Sequence, residues 1–368
     1  MTSSISCRLL LCALLIAPSY AAAFSVTFVN PGKKGERFWD MVTETMQAAA
    51  EDFQIDLEVV YAQRNRIRMT RLGTRVVQRR NPPDYLILVN EEQAAEKIVS
   101  AANAHRIPTL MLLNDLQPDQ YQRLNTHGNL IGAITPDNFG AGRRMMDALL
   151  KCARDKNPSP PYHLLALGGD PLTPASIERN QGAMSVVEEH QEELILDRFL
   201  FANWNRREAE MATSSYLDWA SRNKITPAAI WSANDPMAFG AMAALKTQNL
   251  TPGSDVCVAG LNWSARALQM IKQGELLMTD GGHFLAGAWA MVLLYDHHIQ
   301  QQQGHNTRIG HIRFPMHSLN AQNADQYLKK LGDENWRKIN FKRFTMNGSS
   351  GRSTYDFSLF HVLKYIKH

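Results

Sequence analysis

The sequence predicts an α/β protein built as two doubly wound parallel-sheet lobes joined by a multi-strand hinge. Three observations carry that prediction. Short β-prone runs alternate with stretches whose apolar residues recur every three or four positions, as in parallel sheets covered by helices on both faces. The alternation completes one set by about residue 134 and then starts again. At 368 residues the chain is long enough for two such units, each burying its own core.

In the first set, the run 24–29 is broken by Pro31-Gly32, after which Phe38, Met41, Val42, Met46, Ala49 and Phe53 fall on one helical face. Strands are expected at 57–61, 85–89 and 109–113, separated by helices over 65–80 and 91–104. A polar loop with Asp115, Gln117, Pro118 and Asp119 leads to a strand at 130–135. The second set opens with a helix over 138–152 and a Pro-rich loop over 156–161. Strands at 164–167 and 195–201 are each followed by a helix, over 175–190 and 206–221. Strand 229–231 with its helix, strand 256–259, helix 264–272 and strand 276–278 complete that set. A long helix over 284–302 and a further strand at 312–314 come after it. The expected division is therefore 24–134 with 281–310 as the N-terminal lobe, and 135–280 with 311–340 as the C-terminal lobe. A chain that passes back and forth in this way is tied by several crossing segments, which makes a hinge. Residues 341–368 form a tail: Asn347-Gly348-Ser349-Ser350-Gly351 reads as a linker, and Phe357, Phe360, Val362, Leu363 and Ile366 as a short amphipathic helix.

Residues 1–23 read as an export signal. Arg8 supplies the positive charge, 9–16 the apolar stretch and Ala21-Ala22-Ala23 the small-residue cleavage site. No later segment reaches the ~20 consecutive apolar residues of a membrane span. Cys7 and Cys12 leave with the signal, while Cys152 on a helix and Cys257 on a strand read as small buried residues that spacing alone does not pair. A formal charge of +4 is too small to argue for nucleic acid.

The stretch that organises the rest is Trp231-Ser232-Ala233-Asn234-Asp235-Pro236-Met237. A short apolar strand ends there and Pro236 suits the first turn of a helix, so Asn234 and Asp235 stand at a strand-to-helix switch. They can cap that helix or face a ligand, and in open α/β sheets ligands bind just beyond the carboxyl ends of the strands.

Several motifs then occur in a familiar order. Phe38-Trp39 follows the first strand, and Asp84-Tyr85-Leu86-Ile87-Leu88 fits a strand preceding a helix. Thr173-Pro174-Ala175-Ser176-Ile177-Glu178-Arg179-Asn180-Gln181-Gly182 carries small residues and then a Glu-Arg-x-x-Gly turn, and Asn234-Asp235-Pro236-Met237-Ala238-Phe239-Gly240 an Asn-Asp-x-Met-Ala-x-Gly signature. Over about residues 24–320 the chain resembles the type I periplasmic binding proteins of the ribose-binding kind, relatives of the LacI-type ligand domain. Asn30-Pro31-Gly32 with Phe38-Trp39 also looks like the autoinducer-2 receptor branch of that fold.

The resemblance implies a ligand between the lobes, with an aromatic at Phe38 or Trp39 stacking on a sugar-like ring. Two adjacent aromatics point about 100° apart on a helix, so one can pack inward while the other faces the cleft. Arg179, after a strand and a turn, can donate two hydrogen bonds to hydroxyls or a carboxylate, its bland alternative being a surface pair with Glu178. Asn114 at the end of the fourth strand and Trp204, the family's third aromatic, complete the implied set with Asn234 and Asp235. Asn262 stands where sugar binders usually carry Asp, and Gly281-Gly282 where ribose binders carry Gln and the autoinducer receptor Arg. A neutral amide accepts less strongly from vicinal hydroxyls than a carboxylate does, so neither subfamily's ligand follows.

Arg64, Arg68, Arg71, Arg75 and Arg79 fall at helical spacing and read as one solvated basic stripe, with docking on an acidic membrane partner as the alternative. His297-His298 reads as a polar helix face, without enough neighbours for a metal site. Neither a nucleophile elbow nor a phosphate-cradling loop is visible. The expected function is a periplasmic solute-binding protein, not an enzyme and without a cofactor. It would act as a monomer that hands a sugar-like ligand to an ABC permease. The alternative partner is a membrane histidine kinase.

Overall fold

A computed structural model of the protein describes residues 24–124, 128–305, 307–346 and 354–367; the expected export signal and the 347–351 linker lie outside these. Two six-stranded sheets form the framework. The first contains β1 (Ser25–Asn30), β2 (Asp56–Tyr61), β3 (Tyr85–Leu88), β4 (Thr109–Leu112), β5 (Leu130–Pro136) and β11 (Gly310–Phe314), in the order β11-β5-β4-β3-β1-β2. The second holds β6 (Tyr162–Gly168), β7 (Leu194–Phe201), β8 (Pro227–Ser232), β9 (Cys257–Leu261), β10 (Met278–Gly281) and β12 (His317–Asn320), in the order β12-β10-β9-β8-β6-β7. Every pairing is parallel except β12 against β10. Helices cover both faces of each sheet, so central strands such as β3, β4 and β9 are buried at every residue and read as unbroken apolar runs. The edge strands β2 and β7 are only partly covered and carry Asp56, Glu58, Asp197 and Arg198.

The eleven strands expected from the alternation all form, and the second sheet gains β12. That strand is four residues long with only Leu319 buried, so it gives no apolar run to detect. The expected polar loop after β4 contains a short helix, Pro118–Leu124, which starts at the proline.

Four corrections follow. Residues 311–314 belong to the first sheet, not the C-terminal lobe: β11 runs parallel to β5 with Gly310 opposite Gly132 and Phe314 opposite Pro136. Periodicity marks a strand but not the sheet it joins. Secondly, Cys152 and Cys257 form a disulfide across 105 residues, joining helix Asn138–Lys156 to β9 on which it packs. Thirdly, His297 is buried and meets the Tyr85 hydroxyl at 3.1 Å through Nδ1, while His298 stacks on Phe24 at 4.4 Å. They are packing residues, not a polar face.

Lastly, residues 333–340, expected in the C-terminal lobe, return to the first lobe and the tail follows them there. Helix Ala324–Leu331 rests on the second lobe, where Tyr327 meets Trp263 edge-on at 5.1 Å. The chain then crosses over. Trp336 Nε1 donates to Glu44 Oε2 at 3.1 Å, and Phe341 N donates to Asp52 Oδ2 at 3.0 Å, both acceptors lying on helix Arg37–Phe53. Trp289 of helix Ala286–Gln302 is enclosed by Phe344 at 4.7 Å and Phe357 at 4.6 Å. The expected amphipathic helix forms over Leu359–Lys364 and buries Val362. The backbone thus passes between the lobes four times, near Asp137, Gly282, Pro315 and Asp333.

Candidate ligand-binding cleft

The carboxyl ends of both sheets face a cleft of about 970 Å³ between the lobes. It is lined from the first lobe by Phe38, Trp39, Arg64, Glu91 and Asn114, and from the second by Asp170, Arg179, Trp204, Asn234 and Asn262. Such a volume lies at the upper end of small-molecule sites.

Phe38 and Trp39 both line it. Trp39 is almost wholly buried, and its Nε1 has no acceptor among the described residues. Phe38 stacks on His283 with centroids 4.5 Å apart. Across the cleft, Trp204 is fixed by Nε1 donating to Asp170 Oδ2 at 2.7 Å. Glycines let each indole lie against backbone: a Cβ on Gly32 or on Gly169 would sit 2.3 Å from the Trp39 or Trp204 ring, respectively.

Arg179 sits on helix Pro174–Glu189 and is 4% exposed. Its Nε donates to Asn138 Oδ1 at 2.8 Å and its Nη1 to the Ala233 carbonyl at 3.0 Å, with the guanidinium 5.6 Å from the Trp204 ring centroid. The alternative of a surface pair with Glu178 does not form; Glu178 engages Arg313 of β11 instead, at 2.9 Å. Burial pushes the Arg179 pKa down to about 10, against the pull of Asp280, Glu178 and Glu91. The bonds to Asn138 and Ala233 aim the guanidinium into the cleft and restrict its rotamers.

Asn234 caps helix Asp235–Thr247, its Oδ1 accepting from Met237 N at 2.9 Å and its Nδ2 donating to the Trp204 carbonyl at 3.2 Å. It therefore caps and lines the cleft at once. Asp235 does not reach the cleft. It is fully buried and accepts from Ser264 N (3.0 Å), Ser264 Oγ (2.7 Å) and Thr279 Oγ1 (2.7 Å), which ties the helix start to β9 and β10. Asn234 is the N-cap with extended backbone while Asp235 is the first helical residue, so their side chains diverge, one to the cleft and one to the packing between helix and sheet. Asn262 lines the cleft and makes no side-chain hydrogen bond among the described residues. Asn114 links the lobes, its Oδ1 accepting from Ala175 N at the start of helix Pro174–Glu189 at 2.9 Å.

Three cleft residues were not singled out from the sequence for the site. Arg64, counted with the basic stripe, turns inward: its Nε donates to Glu36 at 3.0 and 3.1 Å, and it also pairs with Glu91. The other stripe arginines Arg68, Arg71, Arg75 and Arg79 are exposed, and Arg79 pairs with Glu58. Burial pushes the Glu91 pKa up to about 7, with Asp170, Glu36 and Glu92 adding to it and Arg64 opposing. His283 fills the space beside Gly281-Gly282, and burial holds its pKa well below the usual histidine range. Arg64 precedes Asn65, which caps the helix, and the left-handed backbone at Gln63 and Arg64 turns it out of line with the stripe that follows.

The family model described as periplasmic binding protein domain matches residues 26–302. A periplasmic sugar-binding protein from Pseudomonas fluorescens superposes with a TM-score of 0.81 at 31% identity, covering 92% of this chain and 99% of that one. The binding component of an arabinose ABC transporter from a Shewanella species, bound to L-arabinofuranose, superposes with a TM-score of 0.71 at 18% identity over 84% of this chain and 96% of its own, which shows the fold alone. The ribose import binding protein of Haemophilus influenzae is 24% identical over 53% of this chain, and that match spans only 59% of the relative's length. Two parallel-sheet lobes meeting at one cleft, the family match over most of the chain and the near-complete superposition together show that the chain belongs to the periplasmic binding protein family, among its type I sugar-binding members.

Proposed function

We propose that this protein captures a small sugar-like solute in the periplasm by closing its lobes, and delivers it to an ABC importer. The observation that carries this reading is the cleft itself. Aromatic rings from opposite lobes, Trp39 and Trp204, line it with the polar groups of Arg179, Asn234 and Asn262. Aromatic faces suit the C–H faces of a sugar ring, while fixed polar groups read its hydroxyls. A ligand touching both lobes binds the closed arrangement more tightly than the open one, and shifts the hinge by that difference. The lobes touch at the cleft edge through Asn114–Ala175 and Arg313–Glu178, contacts that a ligand bound between them would reinforce. The relatives named for ribose import and arabinose transport support an importer as the recipient.

The test is titration of the purified mature protein with a sugar panel, followed by tryptophan fluorescence and small-angle scattering. A binding sugar should change the indole emission and reduce the radius of gyration together. Binding without compaction would count against the clamp.

A further inference from the structure

We propose that the solute is an acidic sugar, a monosaccharide bearing a carboxylate or a phosphate; this rests on reading the cleft as a sugar site. The argument is an inventory of donors and acceptors. The cleft presents seven cationic side chains against five carboxylates, and four of those carboxylates are already committed. Asp170 accepts from Leu172 N and Thr173 N at 2.8 Å through Oδ1, and from Trp204 Nε1 through Oδ2. Glu36 and Glu91 are held by Arg64, and Glu334 by Arg37 at 2.7 Å. Glu92 alone lacks a side-chain partner among the described residues.

The cations are distributed the other way. Arg179 is nine-tenths buried and meets only a neutral amide and a carbonyl, leaving Nη2 without an acceptor among the described residues. The buried Trp39 Nε1 is likewise a donor with nothing to bond. Lys33, Lys34, Arg206 and Arg266 line the cleft without a carboxylate partner among the described residues. Asn262 lines the cleft with an uncharged amide and adds no further carboxylate.

A neutral sugar presents hydroxyls that donate as well as accept, and is best held where carboxylates are available. This cleft offers unpaired donors and excess positive charge, which match an anion. Arg179 stays charged at neutral pH but bears a burial penalty, which an anion lying against it would offset.

The experiment is isothermal titration of the mature protein with matched probes: D-glucose, D-galactose and D-ribose against D-glucuronate, D-galacturonate, D-gluconate, glucose 6-phosphate and ribose 5-phosphate. At least one acid should bind about tenfold or more tightly than its neutral parent, and more weakly as salt rises from ~50 to ~500 mM. The carboxylate and phosphate arms decide which anion is used. Arg179→Gln should erase the preference for the acid. Asn262→Asp, which keeps Arg179, should lower the ratio of acid to neutral-parent affinity about tenfold, and that ratio stands as the test should R179Q fail to fold. A neutral parent binding as tightly as its acid overturns the proposal and leaves the sugar reading intact. Failure of both series to bind overturns both.

Discussion

Replacing Arg179 with alanine sets two opposing effects against each other in the unliganded protein. The side chain makes two charge-assisted hydrogen bonds, to Asn138 Oδ1 at 2.8 Å and to the Ala233 carbonyl at 3.0 Å, and both acceptors are buried. Losing such bonds costs about 1.5–3 kcal/mol each, hence roughly 3–6 kcal/mol together. Against this, the guanidinium is buried without a carboxylate, and its fall from 12.5 to about 10 corresponds to roughly 3 kcal/mol of disfavoured charge that alanine removes. Because the site borders the cleft, water can fill the vacated space, so no dry cavity is left. The net loss should stay below about 3 kcal/mol, equivalent to a drop in Tm of about 4 °C or less for a chain of this length. Ligand affinity has no such compensation, and should fall by about 100-fold or more. Differential scanning calorimetry on the apo protein and titration with its best sugar measure the two separately. An apo loss above about 5 kcal/mol with affinity held within about threefold would refute this reasoning, and would make Arg179 a framework residue.

Two further outcomes are expected. The Cys152→Ala/Cys257→Ala double variant opens a loop spanning 105 residues and should lose about 5 kcal/mol on the chain-entropy account; reductant should lower the wild-type melting point to the same level and leave the variant unmoved. A wild type indifferent to reductant would be the contrary result. Glu91 is raised from 4.5 to about 7 by burial, so between those pH values the folded chain keeps a proton that the unfolded chain has released. Its contribution is therefore present at low pH and lost as pH rises through about 7. Glu91→Gln should remove up to about 3 kcal/mol of that decline, read from urea midpoints at pH ~5 and ~8; an unchanged slope would contradict the assignment.

Much of the architecture was legible because strand–helix alternation is written in local periodicity. The same local signal could not assign β11, whose partner β5 lies 178 residues earlier, nor detect β12 with its single buried Leu319. At the cleft, Phe38, Trp39, Asn114, Arg179, Trp204, Asn234 and Asn262 lie together, each at or just beyond a strand end or on the helix that follows. Asp235 illustrates the limit: adjacent to Asn234 in sequence, it turns into the packing between helix and sheet. Arg64 illustrates the converse, since its helical spacing from Arg68 and Arg71 placed it on a face that the left-handed backbone at 63–64 removes it from. The disulfide is equally invisible locally, because it depends on how helix Asn138–Lys156 lies across β9.

The fourth passage of the backbone has a practical result. Since the chain re-enters its starting lobe near Trp336, the outermost described residues anchor on one body: Phe24 stacks on His298, and Lys367 Nζ bonds Asp52 Oδ1 at 2.7 Å. A surface tether at either end grips that body and leaves its neighbour free to swing. One dye placed beside Lys367 and another at the exposed Met211 would therefore straddle the moving joint, turning each capture event into a change in energy transfer.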